Sequence, residues 1–200
     1  PKPIDGEYSA TYPFSQTTYD ALNRPVFVST PGEAWHEAGK GKTISYITNA
    51  SDEVKYYYTS NYDTSSLEDK GYYPACSLIG EMTEDEDGVR VKVFKDFEGN
   101  VVLERQYLDG DSCDTYYVYY ANKLLRYVLT PQYRQSEDLA LDGYTYTYDA
   151  MWRMSTKNLK GCTAVESTYD VADRNIIMRD GLLAEKGKCR VFLYDIFGRL

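Results

Sequence analysis

Apolar and polar residues alternate with a period of two over much of this chain. Tyr144, Tyr146 and Tyr148 are separated by Thr145 and Thr147, and Val89, Val91 and Val93 by Arg90 and Lys92. Each run predicts a strand with two unlike faces. Val101-Val102-Leu103 continues a strand after Gly99-Asn100, while Tyr116 to Tyr120 and Tyr56-Tyr57-Tyr58 are aromatic on both faces. Tyr, Val, Phe and Thr favour strands. No long window carries a helical stripe. Short helical candidates remain at Ser136–Leu141, with Ser136 as N-cap, and at a turn near Pro31–Trp35. Turn dipeptides punctuate the strands at Asp87-Gly88, Gly99-Asn100, Asp109-Gly110, Asp142-Gly143 and Asp180-Gly181. The pattern predicts an all-β protein of antiparallel hairpins with at most one or two short helices.

A motif recurs at the strand ends. Tyr-Asp followed four residues later by Arg occurs at Tyr19-Asp20…Arg24, Tyr148-Asp149…Arg153, Tyr169-Asp170…Arg174 and Tyr194-Asp195…Arg199. Lys95-Asp96…Asn100 and Tyr119-Tyr120…Leu124 are degenerate copies. At the Asp position the last five fall at 96, 120, 149, 170 and 195, with steps of 24, 29, 21 and 25 residues. A repeat of this length implies one supersecondary unit copied and stacked. Asp suits the start of a turn because its side chain accepts from backbone N–H groups just ahead. Three residues on stand Asn23, Gly99, Asp173 and Gly198, residue types that tolerate positive φ. Lys123 and Trp152 hold that slot in the other two copies, which predicts a weaker turn or another turn type there. The Arg can lean back on the Asp or lie over a neighbouring Tyr ring.

Composition narrows the function classes. A net charge of −9 argues against non-specific binding to a nucleic-acid backbone. Cys76, Cys113, Cys162 and Cys189 form no C-x-x-C pair, so the expectation is four free thiols, with Cys162 and Cys189 the pair that could meet across neighbouring repeats. No apolar stretch is long enough to span a membrane and no signal sequence is visible. His36 has no nucleophile context and reads as a surface or loop residue. The acidic run Glu84–Gly88 lacks the ligand spacing of a calcium loop and reads as a solvated hairpin tip. No metal site, cofactor or enzymatic activity is expected. Trp35 and Trp152 are the candidates for stacking on a sugar, though packing is the simpler reading for both.

Two regions are expected in one continuous structural unit. Residues 1–88 form a β region with one copy of the motif and long loops, and residues 89–200 form the tandem hairpins. The gap between Asp20 and Asp96 reads as an insertion or a pair of long hairpins, with the polar run Thr59–Lys70 as its most mobile loop. The chain stops at the first residue of a further strand and is expected to be a segment of something longer.

The Tyr-Asp-x-x-x-Arg repeat resembles the YD repeat of bacterial Rhs proteins, shared with insecticidal toxin-complex proteins and animal teneurins. Pro13–Asp20, Pro31–Trp35, Lys95–Leu103, and Asp114–Tyr119 through Leu125–Leu129 are similar to Rhs proteins of Bacteroides-type bacteria. The resemblance covers nearly the whole chain. It implies a curved, twisted antiparallel sheet of stacked hairpins, part of a shell that encloses a toxic C-terminal domain. It also implies a bacterial effector that is secreted or on the cell surface. The implied partners are the remainder of the parent protein and its C-terminal cargo. This chain has too few repeats to close a shell. It contains no Asp-Pro, where such proteins cut off their toxin, so self-cleavage is not implied. Strand edges left open in such a segment are expected to self-associate or to fold the sheet over on itself.

Overall fold

A computed structural model of the chain describes residues 12–60, 67–108 and 110–200. The described residues are nearly all β, with fifteen strands and four short helices. In chain order these are β1 (Gln16–Tyr19), β2 (Pro25–Ser29), α1 (Glu33–Glu37), β3 (Lys42–Thr48), β4 (Lys55–Thr59), β5 (Leu67–Tyr72), β6 (Ile79–Glu84), β7 (Arg90–Lys95), β8 (Val101–Leu108) and β9 (Asp111–Tyr119). There follow β10 (Leu125–Leu129), α2 (Tyr133–Ser136), α3 (Leu139–Asp142), β11 (Gly143–Tyr148), β12 (Met154–Asn158), β13 (Val165–Tyr169), β14 (Asn175–Arg179), α4 (Gly181–Glu185) and β15 (Arg190–Val191). Thirteen strands form one sheet in the order β1-β2-β3-β6-β7-β8-β9-β10-β11-β12-β13-β14-β15, and β4 and β5 pair separately. Neighbours are almost all consecutive in sequence, as stacked hairpins require. The exception is the β3–β6 pair, which closes the gap between Asp20 and Asp96 with the β4–β5 hairpin inserted inside it.

The chain divides into two compact units, Pro1–Tyr56 with Gly71–Asp114, and Tyr57–Lys70 with Thr115–Leu200. In the first, pairing in register sets Gly80 opposite Ile47 and Phe94, and Phe94 opposite Leu103. Phe94 and Leu103 are fully buried. Val54 and Asn49 are buried as well. The Asn49 amide donates to the Pro74 carbonyl (2.7 Å) and its Oδ1 accepts from Leu78 N–H (2.8 Å), so one buried side chain holds two loop segments.

In the second unit the core is aromatic. Tyr116, Val118, Tyr127, Val128 and Leu129 are buried. Tyr57 meets Tyr116 edge to face at 5.2 Å and Tyr133 at 6.3 Å, and burial pushes its hydroxyl up to about 12. The 59–70 run behaves differently from the expected loop at both ends. Thr59 ends β4 and is buried, and Leu67–Lys70 belongs to β5, while residues 61–66 lie outside the described residues.

Four helices exceed the one or two expected. Around the predicted Ser136–Leu141 helix the chain makes two turns, α2 ending at Ser136 and α3 starting at Leu139. The cap is Asp138, whose Oδ1 accepts from Ala140 and Leu141 N–H (2.9 and 3.2 Å). Ser136 cannot fill that role because Glu137 takes a left-handed φ of 51° and breaks the helix between them. Asp180-Gly181, read as a turn, starts α4, with Asp180 Oδ1 accepting from Leu183 N–H at 2.9 Å. A carboxylate that can cap a helix looks in sequence like one that starts a turn. Asp109 lies outside the described residues.

Candidate functional site, the corner clasps

Tyr19, Tyr148 and Tyr169 end strands β1, β11 and β13, Tyr194 lies three residues past β15, and the four corners share one geometry. At Asp20, Asp149, Asp170 and Asp195 the Asp N–H donates to the carbonyl of the Arg four residues on (2.8–3.0 Å). The N–H three residues on returns to the Asp carbonyl (3.0–3.2 Å). This is a three-residue hairpin loop closed by a left-handed residue and a bulge. The left-handed residues are Asn23, Trp152, Asp173 and Gly198, with φ between 59° and 77°. The strand registers shift beside the corners, at Thr18/Tyr19, Thr147/Tyr148 and Thr168/Tyr169.

The Asp side chain is spent twice. Its Oδ1 accepts two backbone N–H groups, two and four residues ahead. For Asp170 these come from Ala172 (2.8 Å) and Arg174 (3.0 Å). Its Oδ2 takes the Arg fork, Nε at 2.8 Å and Nη2 at 2.7 Å. Asp20, Asp149 and Asp195 repeat the pattern with Arg24, Arg153 and Arg199. These contacts hold all four carboxyls below their ordinary value of 3.8. At Asp20, Asp170 and Asp195 the first cause is the backbone N–H of the Arg, and at Asp149 it is the Arg153 side chain. A folded-state value below the unfolded one means that the corners contribute full stability above about pH 4 and lose it as pH falls further. Thermal melts by circular dichroism are expected to show a falling Tm from about pH 4 towards pH 2. Asp→Asn changes at the four corners are expected to flatten that slope.

The degenerate copies keep the loop and change the side chains. At Asp96 the Asn100 amide replaces the Arg fork and donates to Oδ2 at 2.8 Å, with Gly99 at φ 90°. At Tyr120, which follows Tyr119 at the end of β9, the backbone closes the same loop (2.9 Å both ways) with no carboxylate, and Lys123 takes φ 68°. Lys123 and Trp152 therefore make the same turn as the others, contrary to the expectation from their residue types. Neighbouring hairpins hold the strands in place, and that packing outweighs the local cost of about 1 kcal/mol. A further corner went unread in the sequence. Asp85 N–H donates to Val89 O (3.0 Å), Asp85 Oδ1 accepts from Asp87 and Val89 N–H, and Gly88 has φ 82°. The expected hairpin tip is there, on the repeat's own geometry. Its legible signal was Asp followed three residues later by Gly, without Tyr or Arg.

What the sequence left as alternatives for the Arg, the structure combines. Arg153 grips Asp149 and lies over the ring of Tyr169, from the next repeat, at 5.0 Å. Arg174 grips Asp170 and lies over Tyr194 at 5.0 Å. The covered tyrosine then donates its hydroxyl to the carbonyl just past that Arg: Tyr169 to Met154 (3.0 Å) and Tyr194 to Asn175 (2.9 Å). Arg24 and Tyr46 make the same clasp, at 4.1 Å with Tyr46 OH to Pro25 O at 3.1 Å, although no Asp follows Tyr46. Where Leu124 replaces Arg, the buried Arg126 lies 5.5 Å from Tyr120, and Tyr148 donates to Leu125 O at 2.8 Å. Arg153 adds bonds to Asp170 O (2.7 Å) and Asp173 Oδ1 (2.8 Å). The motif is thus a connector, holding its own turn and receiving or supplying one half of a joint to its neighbour.

A second charged cluster, unread in the sequence, lies in the first unit. Arg105 forks onto the buried Asp114 (Nε–Oδ1 2.6 Å, Nη2–Oδ2 2.8 Å), Lys92 reaches Glu53 Oε1 at 2.9 Å, and Arg105 Nη1 is 3.6 Å from the same oxygen. The bond to Asp114 holds the Arg105 guanidinium far above its already high ordinary value. Glu53 Oε2 also accepts from Ala50 N–H (2.8 Å), so the cluster ties residues 50–53 to strands β7, β8 and β9.

The remaining candidates take structural places. His36, in α1, stacks on Tyr12 at 4.5 Å and donates from Nε2 to Phe14 O at 3.3 Å, with Ser29 Oγ at 3.5 Å. It is half-buried rather than on the surface. Trp35 is partly exposed beside Lys40, whose Nζ lies 5.6 Å from the ring, and Trp152 is exposed at its corner. The four cysteines are free and exposed. Among the described residues no His, Cys, Asp and Glu cluster suits a metal ion, and no helix is long and apolar enough to cross a membrane.

No protein family matches the chain, and no curated protein matches it. Among solved structures it is similar to the "Crystal Structure of TcdB2-TccC3-TEV", at 12% identity and a TM-score of 0.46, over 84% of this chain. The chain spans 9% of that chain's length. A likeness of this size carries no argument about function.

Proposed function

We propose that this chain is a non-catalytic scaffold segment of the Rhs/YD-repeat type. On this reading it forms part of a β-shell that encloses or presents a C-terminal toxin domain in a longer bacterial protein. The observation that carries the reading is the clasp, in which Asp, Arg and Tyr of the motif are all consumed in closing a turn and joining it to the next hairpin. Such use leaves the repeated residues nothing to offer a substrate. A wall one sheet thick cannot rely on a deep core, and tyrosine suits it by giving a large apolar ring with a hydroxyl that reaches a backbone carbonyl. The repeats then stabilise one another through their nearest neighbours.

Asp170→Ala removes two backbone acceptors and the Arg174 fork together. It is expected to lower Tm by several degrees and to raise hydrogen exchange in β13 and β14 first, whereas Asp170→Asn, which keeps the acceptor, is expected to lose less. Exchange that rises equally throughout the chain, or does not change, would sink the connector role. The cargo reading is tested by limited proteolysis of the longer protein, where a C-terminal domain cut as fast as in isolation speaks against enclosure.

One observation favours a second reading, a carbohydrate-binding or adhesion module. Trp152 is exposed and held at φ 63°, a conformation costly for a bulky residue. Trp152→Gly is expected to raise stability by up to about 1 kcal/mol. If a glycan array gives a signal with the parent chain and loses it with this stabilised variant, the binding reading prevails.

A further inference from the structure

Strands within one hairpin and strands of neighbouring hairpins close differently. Inside the β11–β12 hairpin the register runs from Thr145–Asn158 to Tyr148–Met154, up to the corner. Between β12 and β13 it holds Lys157–Val165 and Thr156–Glu166 and then stops. Carried on, the same register would set Ser155 opposite Ser167, Met154 opposite Thr168 and Arg153 opposite Tyr169. Among the described residues the first two of these positions carry no pair, and at the third stands the Arg153–Tyr169 clasp. The β10–β11 pairing ends in the same way after Tyr127–Thr145, short of Leu124 and Tyr148. In the first unit the β2–β3 pairing ends after Phe27–Thr43, short of Arg24 and Tyr46.

The β12–β13 seam has unlike ends. At one end the loop 159–164 joins the two strands covalently. Gly161 turns it at φ 65°, Lys160 bonds Asp142 at 2.7 Å, and Thr163 lies against Gly181 at the start of α4. At the other end side chains stand where a ladder would carry backbone. The Tyr169 hydroxyl bonds Met154 O, and Arg153 Nη1 bonds Asp170 O and Asp173 Oδ1 while its guanidinium covers the Tyr169 ring. Ser155, Ser167 and Thr168, along the unpaired stretch, are small, polar and at least partly exposed, so parting the strands there uncovers little apolar surface. The β10–β11 seam differs, because Tyr127, Val128 and Leu129 are buried.

We propose that the β12–β13 seam is a hinge with a latch. The β13–β14 hairpin and α4 swing as one body about the loop 159–164, and the Arg153 clasp holds them shut. The hairpin stays whole because its own register runs from Glu166–Arg179 to Tyr169–Asn175. The swing alters the bend of the sheet at one seam and breaks no strand. One ring–cation contact and three hydrogen bonds make the latch, so the open form is a minor one until the latch is cut. This goes beyond the scaffold reading, which a stiff sheet would satisfy equally well and which is tested at Asp170 instead.

Distances between paired spin labels test it, in the full chain with Cys76, Cys113, Cys162 and Cys189 replaced by Ser. Ala121→Cys and Val171→Cys place labels on exposed corners either side of the seam, four strands and so about 19 Å apart. Val171→Cys and Leu182→Cys place both labels on the swinging body. Each pair is expected to give one narrow distribution while the latch is intact. Arg153→Ala is expected to add a longer distance to the first pair, in roughly a tenth of the molecules or more, and to leave the second pair unchanged. Tyr169→Phe removes only the hydroxyl bond and is expected to add the same longer distance in a smaller fraction. A first pair that Arg153→Ala leaves unchanged overturns the proposal. So does a second pair that broadens as much as the first, which marks a melted hairpin and no swing. Should Arg153→Ala not fold, Tyr169→Phe decides in its place, and an unchanged first pair there overturns the proposal.

Discussion

Asp114→Ala is expected to destabilise the first unit by about 3–5 kcal/mol. Asp114 is almost fully buried, and both its oxygens are taken by the Arg105 fork. Removing the carboxylate leaves a mostly covered guanidinium facing a void, with Glu53, already bonded to Lys92, as the one carboxylate still beside it among the contacts described above. The loss spreads through Glu53, which is close to Arg105 and bonded to Lys92, to the 50–53 segment that Glu53 ties down. Asp114→Asn keeps one acceptor and is expected to cost less. Urea unfolding followed by Trp35 emission in a Trp152→Phe background reads the first unit, because Trp35 is then the sole tryptophan. A cost below about 1 kcal/mol would mean that the pair's desolvation already cancels its attraction.

Phe94→Ala is expected to cost about 3–5 kcal/mol, from a fully buried ring and the cavity it leaves. The argument turns on Gly80. A Cβ added at Gly80 would lie 2.7 Å from both the Phe94 ring and Ile47 Cγ1. The ring therefore lies against bare backbone on β6, and Gly80→Ala is expected to cost about 1–3 kcal/mol by overpacking. The two changes are expected not to add. With the Phe94 ring gone, the methyl introduced by Gly80→Ala enters the vacated space, and the double variant should fall short of the sum by about 1 kcal/mol or more. Strict additivity in denaturant unfolding would show that ring and glycine are not in contact.

The corners were legible because their chemistry is local. Asp20, Asp149, Asp170 and Asp195 cap turns made of the next four residues, so a short motif contains both donor and acceptor. Corners without the full motif were harder. Asp85 was hidden among other acids, and only its backbone loop places it in the series. Lys123 and Trp152 show the reverse, since their residue types argued against the turn that they make. Short helices were missed at α4 and misplaced at α3 because Asp before a turn and Asp before a helix accept from the same early N–H groups.

By itself, the sequence determined the all-β class and the corners at the full Tyr-Asp-x-x-x-Arg copies, because period-two alternation and Asp-led loops act within about ten residues. Tertiary structure alone decided who meets whom across the strands. Tyr46 completes the Arg24 clasp without belonging to a Tyr-Asp pair. Where Leu124 replaces Arg, Tyr148 keeps the hydroxyl bond to Leu125 O while Arg126 lies over Tyr120 instead. Residues as far apart as Glu53, Lys92, Arg105 and Asp114 gather because the β7–β8 register sets Lys92 opposite Arg105. A register is a property of two strands at once, and neither strand's residues state it alone.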